Sequence, residues 1–532
     1  MNKRYTVLLV FIISFVKISI CQLPGRQSDG VAYKMDNTQV KDELTPEQRA
    51  SINRMLKENV TRLRAEGKIK PAVSTAVTLF AWPVRQAPGF NDYGFYEIGN
   101  FVDQNPVLGD IKDYECGTRT YDGHYGTDIG LWPFGWQKMA RNAVQIIAAA
   151  PGIIIGKSDN NFDLNCQFCI TCVWNAVYVL HADGSVAWYG HMKAGSLTSK
   201  SIGESVALGE YLGLVGSSGY STGPHLHFEV QADNSATLPP NLIDPWAGAC
   251  NILNENTSWW ADQQPYRFPQ LNKIMLHGTQ PIIAQCASDE VVNERINYSD
   301  GSSFYVGSYY RDQTTLDPSI HTIYRPDNTV WQTWISNPPA TQGTWYWHWN
   351  WVLPNPAPAG NWRYEVEYLF KKTTQWFTVN SGNLIVCPGT IIPIYSNLTS
   401  NNYRWQVNTG TGFTEISDNN FYSGTATNQL QLINVPSSFY GYQYRCRLPG
   451  NVFSQIITLK FVSYWEGSKG ASWEDPSNWT CGNVPDENTD VIIPNGTAKY
   501  PEVSSNTSCR SVTVNTGASL TVNPGFTLKV TH

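Results

Sequence analysis

The alternation of apolar and polar positions divides the chain into one helix followed by many short strands. Ile52, Met55, Leu56 and Val60 recur at helical spacing behind Thr45-Pro46-Glu47-Gln48. Thr45 suits an N-cap, Pro46 the first helical position and Gln48 the reciprocal partner in a capping box. The spacing predicts a helix that runs to Glu66-Gly67. Beyond Ala76 the period shortens to that of strands. Ile153 to Ile155, Ala176 to Leu180, Val186 to Tyr189, Leu212 to Val215 and Leu226 to Val230 read as β, with Asp183-Gly184 as a hairpin turn between the second and third. Leu242 to Trp246 reads as a closing turn. The expectation for residues 76–285 is an antiparallel sheet.

The rest of the chain is also β-patterned, so the predicted class is mainly β. Residues 290–382 hold aromatic strands, Phe304 to Val306, Trp331 to Ile335, Trp345 to Trp351 and Tyr364 to Leu369, and predict a β-sandwich. In residues 383–460, Cys387, Trp405 and Cys446 have the spacing of an immunoglobulin-like domain, and Tyr444 stands two residues before the second cysteine, where a tyrosine corner falls. This pattern pairs Cys387 with Cys446. Residues 461–532 carry short strands at near-regular spacing, which predicts a β-helix-like ladder with Cys481 bridged to Cys509. The ladder stops at His532 without an evident cap, which leaves two readings, a fragment of a longer solenoid or a last rung paired elsewhere.

Composition narrows the setting. A chain of 532 residues suggests about three or four domains. Net charge is −6, with no long basic run, which argues against nucleic acid as a partner. Lys3 and Arg4, the apolar run Val7 to Val16, and Ser19-Ile20-Cys21 read as a signal peptide over residues 1–21 with Gln22 as the new terminus. The rival reading, lipidation at Cys21, is disfavoured by Ile20. No later run is long enough to span a bilayer. The reading is therefore a protein secreted or held at the cell surface or in the periplasm. Residues 22–75 then form an N-terminal helical segment, either a pro-segment or a strut. The strut is favoured, because no blocking ligand is visible.

The chemistry concentrates in Pro224-His225-Leu226-His227-Phe228-Glu229 and His124-Tyr125-Gly126-Thr127-Asp128. Alternate residues of a strand share a face, so His225 and His227 point the same way. Two imidazoles there, with a histidine and an aspartate from elsewhere, can make a zinc site of three protein ligands with a water in the fourth position, the form of a catalytic zinc. Glu229 follows the alternation and either orients a ligand or makes a strand salt bridge. His181 reads as structural.

With Tyr189-Gly190-His191, these motifs resemble the lysostaphin-like zinc metallopeptidases, which include the β-lytic endopeptidases. The resemblance covers about Trp82 to Trp246. It implies that His124, Asp128 and His227 hold Zn2+, and that His191 and His225 are catalytic but not bound to the metal. We assign Tyr189, Ser218 of the Gly216–Gly223 loop, and Trp132 to the substrate side. For Trp132, Phe134 and Trp136, groove wall and buried core weigh equally. Cys166-x-x-Cys169-x-x-Cys172 invites a metal cluster, which the exported setting disfavours. With Cys116, Cys250 and Cys286 these cysteines make up to three disulfides, whose fifteen connectivities stay open. The implied function is a secreted zinc endopeptidase acting on the peptide cross-bridges of bacterial peptidoglycan, with downstream modules that bind a glycan or surface ligand or act as spacers. Two rivals stand: a secreted metalloprotease that cuts glycine-rich proteins, and a catalytically silent adhesion or wall-binding protein.

Overall fold

The structure, a computed structural model, describes residues 44–70, 77–88, 90, 92–232, 241–254, 256–379, 382–396 and 402–532. The signal-peptide and Cys21 readings lie outside the described residues. Helix α1 spans Pro46–Ala65, and both halves of the capping box between Thr45 and Gln48 are present. It ends at Glu66, and Gly67 takes the left-handed backbone that glycine permits.

An eight-stranded antiparallel sheet follows. Its principal strands are β1 Tyr96–Asn100, β2 Thr127–Leu131, β3 Gly152–Ser158, β4 Ala176–Leu180, β5 Val186–Gly190 and β6 His225–Gln231. The spatial order is β1-β2-β6-β5-β4-β3, and Ser205–Val206 and Leu242–Ile243 pair at the flanks. One face is apolar. Ile98, Ile129, Val177, Ala187, Leu226, Phe228 and Val230 pack in one core with Val84, Val144, Ile146 and Leu212 of a three-stranded sheet. The opposite face is shared. Leu56, Val60 and Leu63 of α1 cover Ile155, Tyr178, Val186 and Trp188 at one end, and the motif histidines occupy the other. Strand β6 is buried along its whole length, so its polar residues must find partners inside the protein.

The sandwich starts earlier than expected. Strand Gln270–His277 pairs along its length with Ser303–Arg311, so the boundary falls before residue 270 and not at 285–290. Two sheets, of three and five strands, enclose a tryptophan-rich core. This module abuts the first. Asp92 is ion-paired to Lys138 of its own domain and, at 2.7 Å, to Lys273 of the sandwich.

In the next module Trp405 is fully buried beside its cross-strand neighbour Cys446, and Tyr444 lies on the same strand as Cys446. The expected pairing of Cys387 with Cys446 is nevertheless wrong, because Cys387 is bonded to Cys481. In an immunoglobulin-type bridge the first cysteine sits on the strand that faces the second from the opposite sheet. Here that position falls to Ile392–Tyr395, which turns Ile392 and Ile394 inward. Cys387 instead follows strand Asn383–Val386, which runs parallel to Ile457–Tyr464 with Val386 opposite Phe461. This places it level with Val462, whose carbonyl lies 3.5 Å from the Cys481 sulfur. The bridge from Cys481 to Cys509 is corrected for the same reason. Cys446 and Cys509 are free, buried thiols, and Cys509 packs as a small apolar residue among Trp465, Trp473 and Trp479.

The tail is a ladder of parallel pairs. Asp490–Ile493 lies on Ser511–Val514, Glu502–Val503 on Thr521–Val522, and Thr507–Cys509 on Leu528–Val530. The open cysteine set resolves as Cys116–Cys250, Cys166–Cys286 and Cys169–Cys172. No helix among the described residues is long and apolar enough to cross a membrane.

Candidate metal centre

Strand register assembles the site. His227 on β6 lies directly opposite Asp128 on β2 and Gly190 on β5, and Asp128 lies opposite Asn100 on β1. Cross-strand partners share a face, so one row across four strands carries Asn100, Asp128, His227 and Gly190. His124 enters from the turn before β2. Its Nε2 lies 3.1 Å from Asp128 Oδ1 and 3.3 Å from His227 Nδ1, and His227 Nδ1 is 3.1 Å from the same carboxylate oxygen. All three residues are buried.

The donor chemistry of this triangle fits a cation. His124 Nδ1 donates to the Phe101 carbonyl at 2.7 Å, which leaves Nε2 as the lone-pair atom. His227 Nε2 faces Glu229 Oε2 at 3.3 Å, which leaves Nδ1 as its lone-pair atom. Two lone-pair nitrogens and a carboxylate oxygen thus point at one space, where only a shared positive charge makes their approach favourable. Ligands at about 2.0–2.1 Å around a four-coordinate zinc stand about 3.3–3.4 Å from one another, close to the observed edges. His124, Asp128 and His227 are the set of three able to hold an ion among the described residues.

The surroundings fix each group. Asn100 Nδ2 donates to Asp128 Oδ2 at 2.9 Å. Glu229, fully buried, also accepts from Arg49 Nη1 at 2.9 Å and from Gln231 Nε2 at 2.7 Å. Burial alone would raise its carboxyl, but the Arg49 charge and the hydrogen bond from His227 outweigh burial and hold it at about 2. The ion pair of Glu229 is made with an arginine of helix α1 and not with a strand neighbour, and the same carboxylate touches His227. Gly126 is required by close approach, since a Cβ there would fall 2.5 Å from the His227 ring.

His191 and His225 flank the triangle, with ring centroids 4.4 Å apart. His225 Nδ1 donates to Gly223 O at 2.8 Å, and its Nε2 lies 3.8 Å from Asp128 Oδ1. His191 follows Gly190 in a left-handed backbone, at φ 57°, and its Nδ1 donates to the Ser218 carbonyl at 2.5 Å. Such a backbone costs about 1–3 kcal/mol outside glycine, a cost typical of positions whose geometry serves function. Trp174 presents its ring to both His191 and His227. On the His225 side, Glu97 lies in one row with Gly130 and His225 and leans over Gly130; burial pushes its carboxyl up to about 7.

The expected substrate residues are corrected. Tyr189 is buried in the core beneath the sheet, where its hydroxyl accepts from Ala149 N at 2.8 Å. It sits one residue out of the metal row, and so on the opposite face. Trp132 packs between modules against Met275, Val292 and Tyr309, and its indole donates to Tyr310 O. The Ser218 hydroxyl is also internal, accepting from Asn175 N and donating to Met192 O. Its carbonyl, not its side chain, serves the site. Asn100, Trp174 and Arg49 carry no local motif: Asn100 reaches the site through strand pairing, Arg49 through helix docking, and Trp174 from the segment just before β4. His181 is structural, with Nδ1 on Pro151 O.

Over part of its length the chain is similar to known proteins. Residues 123–239 match the family model described as Peptidase family M23, and residues 464–532 match one described as a domain of unknown function. A relative named DD-carboxypeptidase/endopeptidase Mpg, from Neisseria meningitidis, is 39% identical over 71 residues, which is 13% of this chain and 16% of that protein. An uncharacterized metalloprotease of Buchnera aphidicola is 31% identical over 125 residues, 24% of this chain and 27% of that one. The chain thus spans about a sixth to a quarter of the curated relatives it matches. Among solved structures, the catalytic domain of the prophage-encoded M23 protein EnpA from Enterococcus faecalis matches at 26% identity, covering 30% of this chain and 94% of that one with a TM-score of 0.19.

Proposed function

Taking residues 123–239 as a peptidase family M23 domain, we propose that the chain is a zinc-dependent endopeptidase, acting outside the cytoplasm on the peptide cross-bridges of bacterial peptidoglycan. The observation that carries this reading is the convergence of His124 Nε2, Asp128 Oδ1 and His227 Nδ1 within 3.1–3.3 Å, with two further histidines beside them. Zinc held by those three residues would polarise a scissile carbonyl and lower the pKa of a bound water toward ~7. His191 and His225 each have Nδ1 committed to a backbone carbonyl, so each holds or releases a proton at Nε2. They divide the proton traffic of amide hydrolysis, one taking a proton from the attacking water and one giving a proton to the leaving amine. Trp174 walls the site on the His191 side and keeps the dielectric low there. Three disulfides in and around this domain fit an oxidising compartment. The substrate class is supported by the name of the Neisseria relative, an endopeptidase and DD-carboxypeptidase.

The test is the appearance of new free amino groups when the zinc-supplied chain meets purified peptidoglycan of defined cross-bridge type, with His225→Ala as control. Amines released by the native chain and not by the variant support the proposal. A zinc-loaded chain that releases none from any wall type contradicts it.

A further inference from the structure

Helix α1 lies on the same sheet face as the metal centre, and its first turns reach that centre. Arg49 is 4% exposed, an unusual state for a cation outside an ion pair. Its Nη1 donates to both oxygens of Glu229, at 2.9 and 3.0 Å, across 180 residues of sequence. Glu229 Oε2 in turn stands 3.3 Å from His227 Nε2. The Arg49 guanidinium also lies 4.5 Å above the Tyr125 ring, within the segment that carries His124 and Asp128. The turn is held in place from both sides. Gln48, the capping-box residue, donates to Cys172 O at 3.1 Å, and Leu56, Val60 and Leu63 anchor the helix to the sheet.

These contacts give Arg49 a definite task. Glu229 sets which nitrogen of His227 points at the metal space, because a carboxylate on Nε2 leaves Nδ1 as the ligand atom. A fully buried carboxylate holds that position only while a counter-charge faces it, and Arg49 brings that counter-charge in from the N-terminal helix. We infer that Arg49 is a positioning residue of the metal centre, acting on His227 through Glu229, and that α1 is a built-in part of the peptidase and not a removable pro-segment. The inference rests on the metal-site reading above.

The experiment measures the zinc dissociation constant of the full chain by chelator competition, alongside thermal stability and the kcat and KM of peptide hydrolysis. The variants are Arg49→Ala, Arg49→Lys and Leu56→Ala. Leu56 anchors the same helix without touching the network. Removing an outer partner of a metal ligand weakens affinity by about 10–100-fold, and that loss is expected for Arg49→Ala, with the loss of turnover in kcat and not KM. Arg49→Lys keeps the charge without the fork and recovers part of the affinity. Leu56→Ala lowers the melting temperature yet holds zinc within about twofold of native. Native affinity in Arg49→Ala, or an equal loss in Leu56→Ala, overturns the inference and leaves the metal reading intact. A native chain that binds no metal overturns both. Should Arg49→Ala not fold, the contrast of Arg49→Lys with Leu56→Ala decides: lysine must weaken zinc binding more than the anchor variant does.

Discussion

Gly126 is the position where one methyl group should do most harm. A Cβ there would fall 2.5 Å from Cε1 and Nε2 of His227 and 3.0 Å from Nδ1. Carbon atoms in contact rest at about 3.5 Å or more, so about 1 Å of displacement must be found. The His227 backbone cannot supply it, since β6 is paired on both sides at this residue. The ring has little freedom, being held at Nε2 by Glu229 and packed near Trp174. The displacement must therefore open the triangle, either by tilting His227 or by lifting the turn between His124 and Asp128. A misplacement of about 1 Å at a reacting centre costs about 100-fold, or about 2.7 kcal/mol of transition-state stabilisation. Gly126→Ala should lose about that factor in kcat/KM and weaken zinc in a chelator-competition titration, while the fold stays intact by circular dichroism. Gly135→Ala is the control: a Cβ there meets its nearest atoms at 3.6–3.8 Å, ordinary contact, and activity should hold within about twofold. Native zinc affinity and turnover in Gly126→Ala would refute the claim that these three ligand atoms are held at fixed spacing.

Three further outcomes are expected. Asn100→Ala removes the donor to Asp128 Oδ2 and should weaken zinc by about tenfold without a large change in melting temperature. Burial opposes ionisation of Asp92, but Lys138 and Lys273 outweigh it and hold its carboxyl well below the ordinary range. Its folded pKa is depressed, so its contribution is present above the unfolded value of 3.8 and is lost as pH falls further. Asp92→Asn should cost about 3 kcal/mol at neutral pH by stranding the buried Lys138 and the partly exposed Lys273, and the gap to native in denaturant melts should narrow in acid; a gap unchanged with pH would contradict the pairing. A non-reducing digest read by mass spectrometry should link Cys387 to Cys481, with Cys446 and Cys509 alkylated only after unfolding; a Cys387–Cys446 peptide would overturn the assignment.

The site was legible where chemistry and local period coincide. His225, His227 and Glu229 alternate on one strand with apolar Leu226, Phe228 and Val230, and such a pattern declares both faces of a sheet. The capping box was equally local, a matter of four residues. What failed depended on where a strand sits in three dimensions. Cys387, Trp405 and Cys446 have an immunoglobulin-like spacing, yet the strand before Cys387 pairs with Ile457–Tyr464 at the sheet edge, and spacing does not encode that choice. Tyr189 lies one step along its strand from the metal row and so faces the opposite core, whereas Trp132 follows the end of β2 and packs against the sandwich module, a docking that no local period marks. Arg49 and Glu229 are 180 residues apart and meet only after the helix docks.

The most direct measurement is zinc content and amine release on the same preparations of the native chain, Asp128→Ala and His225→Ala. The account predicts about one zinc in the native chain and in His225→Ala, none in Asp128→Ala, and hydrolysis by the native chain alone. Zinc retained by Asp128→Ala, or native hydrolysis by His225→Ala, would contradict the division of this site into metal-holding and proton-handling residues.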